Sequence, residues 1–210
     1  MANMEKVLKV YIRPYDPRFP VVCMDKSPKQ LIKETKLPIK AQPGRLEKFD
    51  YEYVRCGVCN IFMANEPLAG KRIIKVTERK TKSDWAVFIK EIADQYPDAE
   101  RIILIMDNLG THKPGSLYET FPPEIAKKIW DRFEFVFTPK HGSWLNMAEI
   151  ELNVLMGQCL NRRIDNIDKV RAESQAWETA RNNKEAKINW QFETDDARIK
   201  LKRLYPTFDS

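Results

Sequence analysis

The sequence predicts an α/β fold, a mixed five-stranded sheet flanked by helices. Three observations lead there. Strand-like segments crowd the first 80 residues, helical and strand patterns alternate after them, and two strongly apolar runs, VVCM at 21–24 and RIILIM at 101–106, have the look of buried strands.

The elements follow in order. Residues 4–11 predict a short helix with Val7, Leu8 and Tyr11 on one side. Pro14, Pro17 and Pro20 then forbid regular structure, so residues 1–20 read as an N-terminal arm or linker and residues 21–210 as the main domain. Residues 21–24 give the first strand. Residues 51–64 and 72–80 give a second and a third, joined through the turn signal Leu68-Ala69-Gly70 and able to pair as a hairpin. Thr81-Lys82-Ser83-Asp84 is a helix start. Trp85, Phe88, Ile89, Ile92 and Tyr96 follow on one apolar face that Pro97 ends. Residues 101–106 are the fourth strand. Pro122 and Pro123 open a helix, and residues 133–137 alternate as the fifth strand. Helices are expected over about 146–159, about 167–182 and from Thr194. Trp85, Trp130, Trp177 and Trp190 read as core, and Trp144 as a packing residue.

The chain has 210 residues, 43% of them hydrophobic, which is enough for a real core and excludes a disordered tail. Four Cys are too few for a disulfide scaffold, and the spacing of Cys56 and Cys59 puts them on opposite faces of a strand. No apolar run has the length of a signal peptide or a membrane span, so the expected home is the cytoplasm, with no membrane partner. Lys and Arg number 36 against 30 Asp and Glu, a formal net charge of +6. Most of that excess lies in residues 26–48: Lys26, Lys29, Lys33, Lys36, Lys40, Arg45 and Lys48 face only Glu34 and Glu47. Pro28, Pro38, Pro43 and Gly44 make the segment a loop or loosely paired arm. It reads either as a solvated connector or as an arm that tracks nucleic-acid phosphates.

Two carboxylates occupy matching places. Asp25 ends the run VVCM and Asp107 ends RIILIM, so neighbouring strands would bring both to one cleft. Glu149 and Glu151 lie on the helix after the last strand. Residues two apart on a helix point about 200° apart, so one of the two faces a given site. Hard oxygen donors favour Mg²⁺ or Mn²⁺ over Zn²⁺, and three carboxylates can hold two such ions. A two-ion site stabilises the attacking and leaving oxygens of a phosphoryl displacement.

MDNLGTH at 106–112 and TPKHGSWLNMAEIEL at 138–152 closely resemble the DDE transposases of bacterial insertion sequences in the mariner superfamily. The resemblance continues through VVCMDKSPKQLI, EPLAG and DARIKLKRLYP and so covers nearly the whole chain. It implies an RNase H-like fold, metal-dependent cleavage at transposon ends and transfer of the released 3′-hydroxyl to target DNA at TA, by a homodimer. It also implies that Asp25, Asp107 and Glu149 are the catalytic and metal-holding residues, Glu149 because it follows Trp-Leu-Asn. Asn108, His112, Lys140, His141 and Asn146 are placed near the site as groups that contact DNA or orient the carboxylates. Lys26 departs from the pattern, since family members often carry Glu directly after the first Asp. The helix-turn-helix region that usually precedes the first strand is not found in these residues. An inactive remnant, an accessory DNA-binding or dimerisation module and an RNase H-like nuclease that only hydrolyses remain the alternative readings.

Overall fold

The computed structural model describes residues 1–48, 50–108, 110 and 113–205. Its centre is a five-stranded sheet built from β1 (Val21–Glu34), β2 (Tyr53–Glu66), β3 (Lys71–Thr77), β4 (Ile102–Met106) and β5 (Phe133–Phe137), in the order β3-β2-β1-β4-β5. The first three strands form an antiparallel meander; β4 and β5 add in parallel on the other side of β1.

The central strands are buried on both faces, which is why their sequences read as unbroken apolar runs. Val22 and Met24 of β1, with Ile102, Leu104 and Met106 of β4, face a core closed by α2 (Lys82–Asp94), α3 (Pro114–Tyr118) and α4 (Pro123–Asp131). Cys23, Ile103 and Ile105 point the other way. That second core is closed by α1 (Ala2–Tyr11), α5 (Met147–Leu155), α6 (Ile167–Asn183) and α7 (Thr194–Lys200). Helix α2 begins with a full capping box, in which the Thr81 side chain and Asp84 satisfy each other's backbone amides.

Four features differ from the sequence expectation. Residues 1–20 are not a mere arm: Met4, Val7, Leu8, Val10 and Tyr11 of α1 are buried in the second core. The first strand runs ten residues further than VVCM, to Glu34, so Lys26, Lys29 and Lys33 belong to the sheet rather than to an arm. Pro28 is tolerated inside it because β4 pairs only with Val21, Val22 and Cys23, leaving the far half of β1 open on that side. Helix α5 is shorter than expected and passes into a π-helical turn at Met156–Leu160. Helix α3, a five-residue piece opened by Pro114 and Gly115, carries no sequence pattern long enough to announce it.

The outer edge of the sheet is covered by α6. Asn182 Oδ1 accepts from the Arg72 amide at 2.8 Å and Asn182 Nδ2 donates to the Arg72 carbonyl at 2.9 Å. Glu178 accepts from the Ile74 amide at 3.2 Å, and Arg171 donates to the Val76 carbonyl at 3.3 Å. Residues 171, 178 and 182 form one stripe of the helix, so their side chains supply the partners that a sixth strand would have supplied. The turn between β2 and β3 depends on Gly70. Its φ is +70°, and a Cβ there would stand 2.4 Å from the Glu185 carbonyl carbon.

Beyond Glu34 the chain leaves the sheet as a thin hairpin. Ile39 pairs with Lys48 and Gln42 with Arg45 around a Pro43-Gly44 tip, with Gly44 at φ 78°. This is the loosely paired arm the composition predicts, confined to the residues between β1 and β2.

Candidate active site

Strand register sets the first two carboxylates. In the parallel pair of β1 and β4, Val21 lies opposite Ile103, Val22 opposite Leu104 and Cys23 opposite Ile105. The pairing ends there, and Asp25 and Asp107 each lie two residues further on at the same end of the pair, Asp25 still within β1 and Asp107 just past β4. Asp25 shares the face of Cys23, toward α5, and Glu149 stands in the first turn of that helix. Asp25, Lys26, Ser27, Glu149, Leu152 and Asn153 line one open cleft.

Asn146 ties the helix to the strand. Its side-chain oxygen caps α5 by accepting from the Ala148 amide at 3.2 Å. Its Nδ2 donates to the Met24 carbonyl at 2.9 Å and to Asp25 Oδ2 at 3.3 Å. Asp25 Oδ1 accepts from the Lys26 amide at 2.7 Å. Tyr11 braces the same junction from α1: its hydroxyl donates to the Leu145 carbonyl at 2.5 Å and lies 3.4 Å from the Met147 amide, which donates to it. Sequence reasoning did not single out Tyr11; its place on the apolar side of the first helix was the available signal.

The electrostatics of the cleft strain against negative charge. Burial pushes the Asp25 carboxyl up to about 6, and the charges of Asp107 and Glu149 add to the rise, against the Lys26 amide and ammonium. Lys26 Nζ donates to Asp107 Oδ2 at 3.2 Å, with only 12% of its side chain exposed. Among the described residues, no three Asp, Glu, His or Cys side chains are gathered tightly enough to hold a metal ion as they stand. Like charges repel in a partly buried cleft, and here an ammonium already occupies the Asp107 end.

The neighbouring glutamate has a different fate. Glu151 is fully buried and bidentate to two arginines, Arg72 at 2.7 and 3.0 Å and Arg181 at 2.9 and 3.0 Å. Burial raises its carboxyl, but the bonds from Arg181 and Arg72 outweigh that and hold it below the usual glutamate value. Its charge is consumed inside the fold, and Glu149 is the glutamate of the cleft.

The remaining sequence candidates scatter. Asn108, Lys140 and His141 are exposed, and His141 sits in the left-handed region at φ 63°, in the turn that leads to α5. His112 lies outside the described residues. Lys29 turns away from the arm and donates to the Leu160 and Arg162 carbonyls, at 2.6 and 3.1 Å, where it caps the end of the π-helical turn. Lys33, Lys36, Lys40 and Arg45 are exposed, with Lys36 paired to Asp50 at 2.7 Å. Cys56 is exposed and Cys59 buried, in keeping with opposite faces. Trp144 is 45% exposed and packs edge-on against Phe192 at 5.6 Å. No helix among the described residues is long and apolar enough to cross a membrane.

The family model described as DDE superfamily endonuclease matches residues 20–171, which is more than half of the chain. The fold is also that of solved mariner structures. The Mos1 mariner paired end complex with Mn superposes with a TM-score of 0.59 at 15% identity, over 88% of this chain and 55% of that one. The Mos1 strand transfer complex gives 0.58 at 14% identity, over 85% of this chain and 52% of that one. The catalytic domain of Mos1 mariner transposase gives 0.57 at 12% identity, over 88% and 83%. This chain therefore spans about half the length of the full Mos1 chains it matches. No curated protein sequence matches it.

Proposed function

This chain belongs to the DDE superfamily of endonucleases, and we propose that it is the catalytic domain of a transposase that cuts DNA at transposon ends and joins the freed 3′-hydroxyl to target DNA. What supports the reading is that Asp25 and Glu149 line one open cleft and the charges of Asp107 and Glu149 both act on Asp25, while Glu151 is withdrawn into an arginine clasp. Residues 21–210 form the catalytic unit, and α1 completes its core.

Three hard carboxylates, one of them pushed up by burial and further by its acidic neighbours, have the donor chemistry for divalent cations. Asp25, Asp107 and Glu149 would hold two Mg²⁺ or Mn²⁺ ions. Bound there, such ions acidify the attacking water and stabilise the oxygens of the displaced phosphodiester. The chain's own residues do the rest. Asn146 fixes the Asp25 carboxylate through Oδ2 and, as the cap of α5, sets the height of Glu149 above it. Tyr11 holds the entry to that helix. Asn108, His112, Lys140 and His141 would contact DNA, and the exposed Lys33 near the end of β1, with the exposed Lys36, Lys40 and Arg45 of the hairpin arm, would follow duplex phosphates. The substrate is proposed to be TA-containing target DNA, with the protein acting as a homodimer in the cytoplasm; these details rest on the family resemblance. The ion pair of Lys26 with Asp107 favours a second reading, a DNA-binding remnant without chemistry.

Incubation with supercoiled plasmid and a labelled transposon-end duplex in Mg²⁺ or Mn²⁺ decides between these. Nicking together with joined end–plasmid products is the expected result. Nicking without joining would make the chain a hydrolase, and binding without nicking would leave the remnant.

A further inference from the structure

Lys26 is the one cation among the described residues that line the cleft, and the catalytic reading above gives it no role. It follows Asp25 in β1, opposite Phe62 of β2, so its stem starts on the face of the sheet away from α5. Its ammonium nevertheless comes round the end of the sheet to Asp107 Oδ2 at 3.2 Å. Long lysine side chains bury their stems while carrying the ammonium to water or to a counter-ion, and this one, 12% exposed, is largely withdrawn from water. A lysine offered only to solvent or to DNA phosphates would not lie this deep. Its partner is one of the carboxylates assigned above to metal, and its charge is among those that act on Asp25.

We propose that Lys26 is a built-in cation at the Asp107 end of the cleft, one that competes with a divalent ion for that carboxylate and so sets a weakened metal affinity. The inference rests on the metal-holding role proposed for Asp25, Asp107 and Glu149. The competition is electrostatic. An ammonium and a divalent ion cannot both contact the same carboxylate oxygen without repulsion, and loading the site requires the ammonium to swing aside. Two unit charges some 6 Å apart at an effective dielectric near 20 interact strongly enough to change an affinity by more than tenfold; exposure of the cleft to water reduces the effect to about tenfold.

The test is Mn²⁺ binding to the whole chain, read by the loss of the free Mn²⁺ electron-paramagnetic signal and by calorimetry. Five proteins are compared: the parent, Lys26→Gln, Lys26→Arg, Asp107→Asn and Lys26→Gln combined with Asp107→Asn. Lys26→Met, which keeps the apolar stem, replaces Lys26→Gln if the latter melts early. Lys26→Gln should bind Mn²⁺ about tenfold more tightly than the parent. Lys26→Arg, which keeps the charge, should restore parent-like binding, and Asp107→Asn should erase the gain. Equal or weaker binding by Lys26→Gln overturns the inference while leaving the metal-holding role intact, provided that Asp107→Asn still weakens binding. A gain that survives Asp107→Asn also overturns it. Failure of both the parent and Lys26→Gln to bind Mn²⁺ overturns the inference and the metal-holding role together.

Discussion

The two sides of α5 carry the same chemical group to opposite ends. Glu149 faces a cleft in which the charges acting on Asp25 include two other carboxylates, Asp107 and Glu149 itself, and the Lys26 ammonium. Glu151, two residues on and about 200° round the helix, meets Arg72 and Arg181 in full burial. One carboxylate stands among its own kind; the other is over-matched by guanidinium. Where the chain supplies the counter-charge, a buried acid serves the fold. Where acids crowd together at an open surface, the fold is burdened by them, and the arrangement makes sense through a cation or substrate brought from outside.

The largest expected effect lies on the Arg side. Glu151→Ala leaves Arg72 and Arg181 without their carboxylate, with the Arg72 guanidinium keeping the Gly70 and Ala186 carbonyls. Breaking a buried ion pair from one side costs about 3–5 kcal/mol, to be read by urea unfolding. A loss below about 1 kcal/mol would mean that the clasp is not what fixes α5 to β3 and α6.

On the cleft side the sign reverses. The Asp25 carboxyl is pushed up to about 6 from an ordinary 3.8. The native state therefore holds more protons than the unfolded chain between those values, and stability falls as pH rises through that window. Above it the cost persists, so Asp25→Asn should stabilise the metal-free protein at pH 8 by about 1–2 kcal/mol after allowance for the water-facing cleft. An Asn variant less stable than the parent at pH 8 would contradict the cost assigned to burying the Asp25 charge beside its acidic neighbours.

Glu178 offers the same sign away from the cleft. Burial raises it from 4.5 to about 7, although the Ile74 amide pulls the other way. Protonated Glu178 suits its place on the sheet edge, so stability should decline between about pH 4.5 and 7, and Glu178→Gln should flatten that decline by about 1–2 kcal/mol. An unchanged pH profile would separate the edge cover from the titration.

Asn146→Ala has the smallest effect on stability, about 1 kcal/mol for a lost cap. Because the same side chain also holds Asp25, it should lower Mn²⁺ affinity by about 10–100-fold. Loss of the cap without loss of metal affinity would make Asn146 a structural residue only.

The sequence carried Asp107 clearly, because RIILIM is apolar on both faces and stops at a charge as β4 ends, whereas Asp25, read as the end of a strand after VVCM, lies inside β1, which runs on to Glu34. The hairpin of β2 and β3 and the mixed five-stranded sheet were likewise legible from pattern and order, whereas the strand order β3-β2-β1-β4-β5 was not. What lay hidden depended on partners distant in sequence. Periodicity alone left Glu149 and Glu151 level, and the arginines that claim Glu151 come from residues 72 and 181. The extension of β1 was masked by Pro28, harmless only because β4 is too short to need that amide. The three prolines after α1 made the N-terminus look detached, yet Tyr11 returns it to the mouth of α5. Lys26 and Lys29 read as arm charges because composition gives no direction, while the strand sends one to Asp107 and the other to the Leu160 carbonyl.

The central claim is that Glu149, and not Glu151, works with Asp25 and Asp107 on DNA. Plasmid nicking in Mg²⁺ by Glu149→Gln and Glu151→Gln, each checked for folding by thermal melting, tests it most directly. Glu149→Gln should melt like the parent and fail to nick, while the folded fraction of Glu151→Gln should nick at the parent's rate. Nicking that survives Glu149→Gln, or that vanishes in well-folded Glu151→Gln, would contradict it.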